Sequence, residues 1–218
     1  MTLRLLVDSA DPKYWERFMC RGWAYGATTN PLILTREGRP VNMGTYQTLV
    51  NDAKHMGLAE LHIQATGPHA GELAESGLRI AGLWDKIKVK VPSTAEGLAA
   101  AKILADAKVP LTLTAAYAAH QMVAAAMLDA AYIAPYYGRL LEADRDADGI
   151  LESMRSIRDK SGSQTRILIA SLRSVEQIEH LLALGHDTFT LAPEVADALA
   201  TDDMSDAAAA DFERARLG

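Results

Sequence analysis

Short apolar runs alternate with amphipathic stretches along this chain, and the alternation repeats eight times. The runs that predict strands are Leu3–Val7, Tyr25–Thr28, Ala59–Ala65, Ile87–Val91, Leu111–Thr114, Tyr132–Tyr136, Arg166–Ala170 and Thr188–Leu191. Helical periodicity fills the gaps, as in Asn42–Met56, Thr94–Ala107, Ala118–Ala130, Gly149–Lys160 and Val175–Leu184. Strands that alternate with helices call for a parallel sheet, with right-handed crossovers placing the helices outside. Eight units is the number that closes a (β/α)8 TIM barrel. An open doubly wound sheet is the competing arrangement. No Ser/Gly/Pro-rich linker divides the 218 residues. The expectation is therefore an α/β chain with one barrel domain over residues 1–218, ending in a helix over about 204–217.

The formal net charge of −6 speaks against a general nucleic-acid binder, which would be basic. It leaves room for a small anionic substrate held by a few local cations. Cys20 is the single cysteine, so no disulfide framework exists within the chain and a reducing, cytoplasmic setting is expected. The first residues lack the apolar core and cleavage site of a secretory leader. The longest apolar stretch, Ala115 to Tyr137, is broken by His120, Gln121 and Asp129 and reads as a packed helix followed by a strand. No membrane partner is expected. His55, His69, His120, His180 and His186 show no metal-ligand spacing with one another or with Cys20, and are expected on the surface or on helices. No HExxH, paired CxxC or P-loop occurs. Trp15, Trp23 and Trp84 are expected to pack helices or fill an interface, and Cys20 to lie in the core or an interface.

In a barrel the chemistry collects at the C-terminal ends of the strands. Here those ends carry Asp8, then Thr28, Thr29 and Asn30, then Gln64, Lys90, Thr114, Tyr136 and Ser171. Strand 4, Ile87-Lys88-Val89-Lys90-Val91-Pro92, is the most informative. Residues two apart share a face. In one phase Lys88 and Lys90 point into the barrel, where burial disfavours an ammonium and leaves a nucleophilic amine. In the other phase both lysines coat the outside and Ile87, Val89 and Val91 fill the barrel. Strand 4 alone leaves both phases open.

The segments LLVDSAD, GATTNPLIL, KVKVPSTAEGLAAAKIL, LTLTAAY, YIAPYYGRL and ILIASLRS resemble the small transaldolase family, and look closest to its fructose-6-phosphate aldolase branch. The resemblance runs in order from about residue 3 to about residue 200. It implies a Schiff-base lysine at Lys90. It implies that Asp8 contacts substrate hydroxyls and assists proton transfer. Asn30, with Thr28 and Thr29 beside it, would hold the dihydroxyacetone portion. Gln64 and Thr114 would hold a proton-shuttling water, and Tyr136 would be the proton-transfer phenol. Arg139, Ser171 and Arg173 would bind the phosphate end of a sugar. No cofactor and no metal is implied, because an iminium is itself the electron sink. The family's homo-oligomers, pentamers or decamers, would be the expected assembly.

Gln64 and Tyr136 match the aldolase branch, whereas transaldolases tend to have Glu and Phe there. The expected reaction is thus reversible cleavage of the C3–C4 bond of a ketose phosphate such as fructose 6-phosphate, with transaldol transfer as the alternative. A sugar-phosphate isomerase or epimerase, or a non-catalytic sugar-phosphate binder, would need no imine. Several positions depart from the aldolase branch. Arg173 resembles the transaldolases. Thr112 stands where the transaldolase branch has Asn and the aldolase branch Leu, and its hydroxyl is expected to alter how the ketone donor is held. Lys88 and His62 stand two residues before Lys90 and Gln64 and would form a polar layer beneath Lys90. Lys88 would either lower the Lys90 pKa by repulsion, or be neutralised by Glu60 or another acid.

Overall fold

The computed structural model describes residues 2–217. Eight strands form one parallel sheet: β1 (Arg4–Asp8), β2 (Ala24–Thr28), β3 (Glu60–Gln64), β4 (Ile87–Pro92), β5 (Leu111–Ala116), β6 (Tyr132–Pro135), β7 (Arg166–Ile167) and β8 (Thr188–Leu191). Successive strands are neighbours from β1 to β7, and β8 pairs with β1. The remaining gap is spanned by a bridge between Ile169 and Phe189. There the Ile169 N–H donates to Thr188 O at 2.9 Å and the Thr190 N–H to Ile169 O at 2.9 Å. The result is the nearly closed (β/α)8 barrel that the alternation predicted.

The helices follow in turn: α1 (Pro12–Cys20), α2 (Pro31–Arg36), α3 (Met43–Met56), α4 (Ala70–Ala81), α5 (Ala95–Asp106), α6 (Gln121–Met127), α7 (Tyr137–Glu142), α8 (Ala147–Ser161), α9 (Val175–Ala183), α10 (Pro193–Ala198) and α11 (Asp203–Leu217). Side-chain caps set several starts. Asn30 Oδ1 accepts from Ile33 N–H at 3.0 Å, and Thr94 Oγ1 from Gly97 N–H at 3.2 Å. Each such cap contributes about 1 kcal/mol. Most of the core lies between barrel and helices, where Ile63, Val89, Val91 and Leu113 are buried. A second small cluster, Leu6, Tyr132, Ala134 and Leu168, fills part of the barrel interior. Among the described residues, no helix is long and apolar enough to cross a membrane.

Some boundaries differ from the sequence reading. β6 stops at Pro135, and Tyr136 leaves the strand to cap α7. β7 is regular only at Arg166–Ile167, because beyond it the chain divides its pairing. Ile169 bridges to Phe189 on one side and Ala170 to Tyr136 on the other. α6 begins later than expected because the Gln121 side chain accepts from the N–H groups of Tyr117 and Ala118 and holds them in a loop. Trp15 packs in the core with its indole N–H on Ser9 O at 2.9 Å. Cys20 is exposed, not in the core, since it falls on the solvent side at the end of α1.

His186 is buried rather than on the surface or on a helix. Burial, with the Arg155 and Arg158 charges, pushes its pKa down to about 4. The folded value lies below the unfolded value of about 6.5, so the unfolded chain takes up the proton first. Stability is therefore lost as pH falls from about 6.5 towards about 4, by about 2 kcal/mol once solvent screening is allowed for. A His186→Gln variant should lose less melting temperature than the wild type between those pH values. Equal losses would count against the assignment.

Candidate active site

The C-terminal ends of the strands surround a cavity of about 470 Å³. Asp8, Thr28, Asn30, Gln64, Lys90, Thr114, Tyr136, Arg139, Ser171 and Arg173 all line it. Ten of the twelve residues singled out in the sequence thus meet in one place. Thr29 and Thr112 do not line it. Thr29 follows Thr28 and faces the other way, and its hydroxyl is buried with no hydrogen-bond partner among the described residues. Thr112 lies below the cavity floor, bonded to His62 Nδ1 at 3.0 Å. Its expected contact with substrate is replaced by a contact with protein.

The phase of β4 is now decided. Ile87, Val89 and Val91 pack into the core between sheet and helices, so Lys88 and Lys90 point into the barrel. Lys90 is only 4% exposed. Burial lowers its pKa, and the opposing charge of Asp8 offsets part of that effect. Gln64 and Thr112 flank it in register on β3 and β5. Lys88 sits a layer lower, with Nζ 3.7 Å from Glu60 Oε2. Glu60 is thus the acid that neutralises it.

Two hydrogen-bonded groups face each other across the cavity. On one wall the Thr28 hydroxyl donates to Asp8 Oδ1 at 2.6 Å, and its oxygen lies 2.6 Å from Thr190 Oγ1. On the other, the Tyr136 phenol is 3.1 Å from Thr114 Oγ1. Burial raises the Tyr136 pKa, which keeps the phenol protonated and able to donate. The Tyr117 ring meets its edge at 5.6 Å between centroids, and the Arg139 guanidinium lies 5.1 Å from its ring centre.

The far rim is cationic. Arg139 donates to the Tyr117 hydroxyl at 3.3 Å, and Arg173 is tied to Glu142 at 2.9 Å. Ser171 adopts φ +64, and its hydroxyl is buried with no partner among the described residues. Ser171 lines the cavity, and its hydroxyl needs a partner that the described residues do not supply.

Sequence reasoning missed Thr190 and Arg36, which also line the cavity. The period-2 alternation of β8, which puts Thr188 and Thr190 on one face, was the available signal for Thr190. Arg36 had no such signal. It reaches the cavity because α2 turns back over the barrel mouth directly after Asn30-Pro31.

A polar cavity at the mouth of a nearly closed barrel, lined by a buried lysine and Asp8, is equipped for nucleophilic attack on a carbonyl, as in a lysine-dependent enzyme. Residues 5–217 match the family model described as Transaldolase/Fructose-6-phosphate aldolase. The chain is 30% identical over 206 residues to a probable transaldolase of Roseobacter denitrificans, covering 94% of this chain and 92% of that one. It is 31% identical over 212 residues to a probable transaldolase of Dinoroseobacter shibae, covering 96% and 94%. The chain belongs to the transaldolase/fructose-6-phosphate aldolase family, and so is a Schiff-base-forming aldolase or transaldolase. Among solved structures it resembles a dihydrodipicolinate synthase of Thermotoga maritima, with TM-score 0.62, 12% identity, and coverage of 88% and 70%. It also resembles a glycerophosphodiester phosphodiesterase of Parabacteroides distasonis, with TM-score 0.59, 10% identity, and coverage of 91% and 97%. At such identities these two likenesses speak for the fold alone.

Proposed function

We propose that the protein transfers a dihydroxyacetone unit from a ketose phosphate such as fructose 6-phosphate to an acceptor aldehyde, through an imine on Lys90. The observation that carries the Schiff-base step is the buried Lys90 amine, with its lowered pKa, facing the cavity beside Asp8. The neutral amine adds to the C2 carbonyl, and loss of water leaves an iminium. A base removes the C4 hydroxyl proton, and Asp8 is the carboxylate on hand. The C3–C4 bond electrons move into the iminium to give an enamine, and glyceraldehyde 3-phosphate departs. Arg139, Arg173 and Ser171 hold the phosphate end, with Arg173 exchanging Glu142 for the phosphate. Asn30 and Thr28 hold the donor end.

The enamine then adds to a new aldehyde, or is protonated and hydrolysed to free dihydroxyacetone. Relatives named as probable transaldolases favour transfer, the reverse of the order expected from Gln64 and Tyr136. One observation favours release as a second reading: the protonated Tyr136 phenol bonded to Thr114, a ready general acid. Incubation with fructose 6-phosphate separates the two. Under the transfer reading, sustained glyceraldehyde 3-phosphate release requires an added aldose phosphate. Free dihydroxyacetone formed as fast without acceptor would overturn that reading in favour of the aldolase. Tyr136→Phe should then suppress free release relative to transfer by about a hundredfold, the scale of one general acid. An isomerase or epimerase would give no borohydride-stable adduct at all. A cytoplasmic homo-oligomer, pentamer or decamer, completes the proposal, supported by α11, whose Met204, Phe212 and Leu217 are exposed.

A further inference from the structure

The layer beneath Lys90 holds a hydrogen-bonded chain that the proposed mechanism does not use. His62 is fully buried. Its Nε2 lies 3.0 Å from Glu60 Oε1, and its Nδ1 lies 3.0 Å from Thr112 Oγ1. Burial works to raise the Glu60 carboxyl, but the His62 and Tyr132 hydrogen bonds and the Lys88 charge outweigh it and keep Glu60 ionised. A carboxylate only accepts, so Nε2–H donates to it. Burial, helped by the Lys88 charge, holds the ring neutral against the pull of Glu60. The unprotonated Nδ1 must then accept, and the Thr112 hydroxyl donates. The Tyr132 ring packs on the imidazole at 4.9 Å between centroids, and its phenol oxygen accepts from Arg4 Nη1 at 2.6 Å. The imidazole is held on three sides.

Register locates this chain. His62 on β3 pairs with Lys88 on β4, while Thr112 on β5 pairs with Lys90. A bond from His62 to Thr112 therefore crosses β4 between the levels of its two lysines. Below it lie Lys88 and Glu60, paired at 3.7 Å. Above it lie Lys90, Asp8 and Tyr136, lining the cavity. Of Asp8 and Glu60, Asp8 is the one whose charge acts on Lys90.

We propose that Glu60, His62 and Thr112 form a positioning floor that keeps the Lys90 amine directed at the cavity and out of reach of the buried Glu60 carboxylate. The proposal rests on the Schiff-base reading. Without the floor, Lys90 descends to Glu60, and an opposite charge within about 4–6 Å raises an amine's pKa by about one unit or more. The lysine is then held as an unreactive ammonium. His62 and Thr112 act through Lys90 and touch no substrate.

The test uses the full chain with fructose 6-phosphate. Borohydride trapping on the wild type comes first, and absence of an adduct would refute the Schiff-base reading itself. With trapping established, the acid limb of the kcat/KM profile is compared between variants. In His62→Ala the limb should move up by about one pH unit, a loss of about tenfold at a fixed pH on the limb. The high-pH plateau should stay within about threefold of the wild type. Adding Glu60→Gln to His62→Ala should return the limb towards its wild-type position. A merely structural role predicts the opposite, a uniform loss that the second substitution deepens. Thr112→Val nearly preserves volume, keeps the fold testable if His62→Ala does not fold, and should shift the limb in the same direction by less. A folded Thr112→Val with an unmoved limb, or a double variant that fails to recover, would overturn the proposal.

Discussion

Replacing Lys90 by methionine is expected to abolish turnover, by at least about a thousandfold, and to abolish borohydride trapping with it. Methionine matches the length of the lysine stem but offers no nucleophile. The fold should survive, because Lys90 lies within a strand whose ladder does not depend on its side chain. Melting temperature should stay level or rise. A buried ammonium or unpartnered amine costs free energy that an apolar side chain does not, and Lys90 is 4% exposed. Loss of activity with equal or greater stability identifies a residue kept for chemistry rather than packing. Turnover within tenfold of the wild type, in a preparation free of contaminating enzyme, would remove Lys90 from the mechanism.

The second large effect is expected at Gly138, which bears no chemistry. Its N–H donates to Ser171 O at 3.1 Å, which ties the start of α7 to the loop after β7. A Cβ added there would lie 2.1 Å from that same carbonyl oxygen and 3.3 Å from the Arg173 side chain. The obstacle is backbone and cannot swing aside. Gly138→Ala should therefore cost about 3 kcal/mol or more, near the upper end for overpacking. It should also push Ser171 and Arg173 away from the cavity. A large rise in KM for phosphorylated substrate should exceed any change for a non-phosphorylated ketose. Thermal melting read with both Michaelis constants checks this, and an unchanged KM ratio would separate Gly138 from the phosphate end.

The barrel was legible in the sequence because strands and helices bury their faces at different periods, and eight alternations leave few ways to close a sheet. The polar strand ends were legible for the same reason. A side chain at the C-terminal end of a barrel strand that points inward faces the mouth, and eight of the nine residues chosen on that basis line one cavity. The motifs around Lys90 and Asn30 carried the family. Boundaries at β6 and β7 were less legible, since they depend on partners distant in sequence. His186 was misplaced, and Cys20 proved not to be in the core, for a related reason: exposure at a helix end or loop is set by what packs over it.

By itself the sequence determined the alternation, the single cysteine, the acidic balance and the family of Lys90. It left open which face of β4 looks inward, because a period of two is the same in either phase. The tertiary structure decided that, through the helices that cover Ile87, Val89 and Val91. It also decided that Lys88 meets Glu60 and that Thr112 serves His62 rather than substrate. These contacts join three neighbouring strands across gaps of 28 and 50 residues in the chain. No local pattern reports them, since hydrogen bonds between strands depend on register, and register exists only once the sheet has closed.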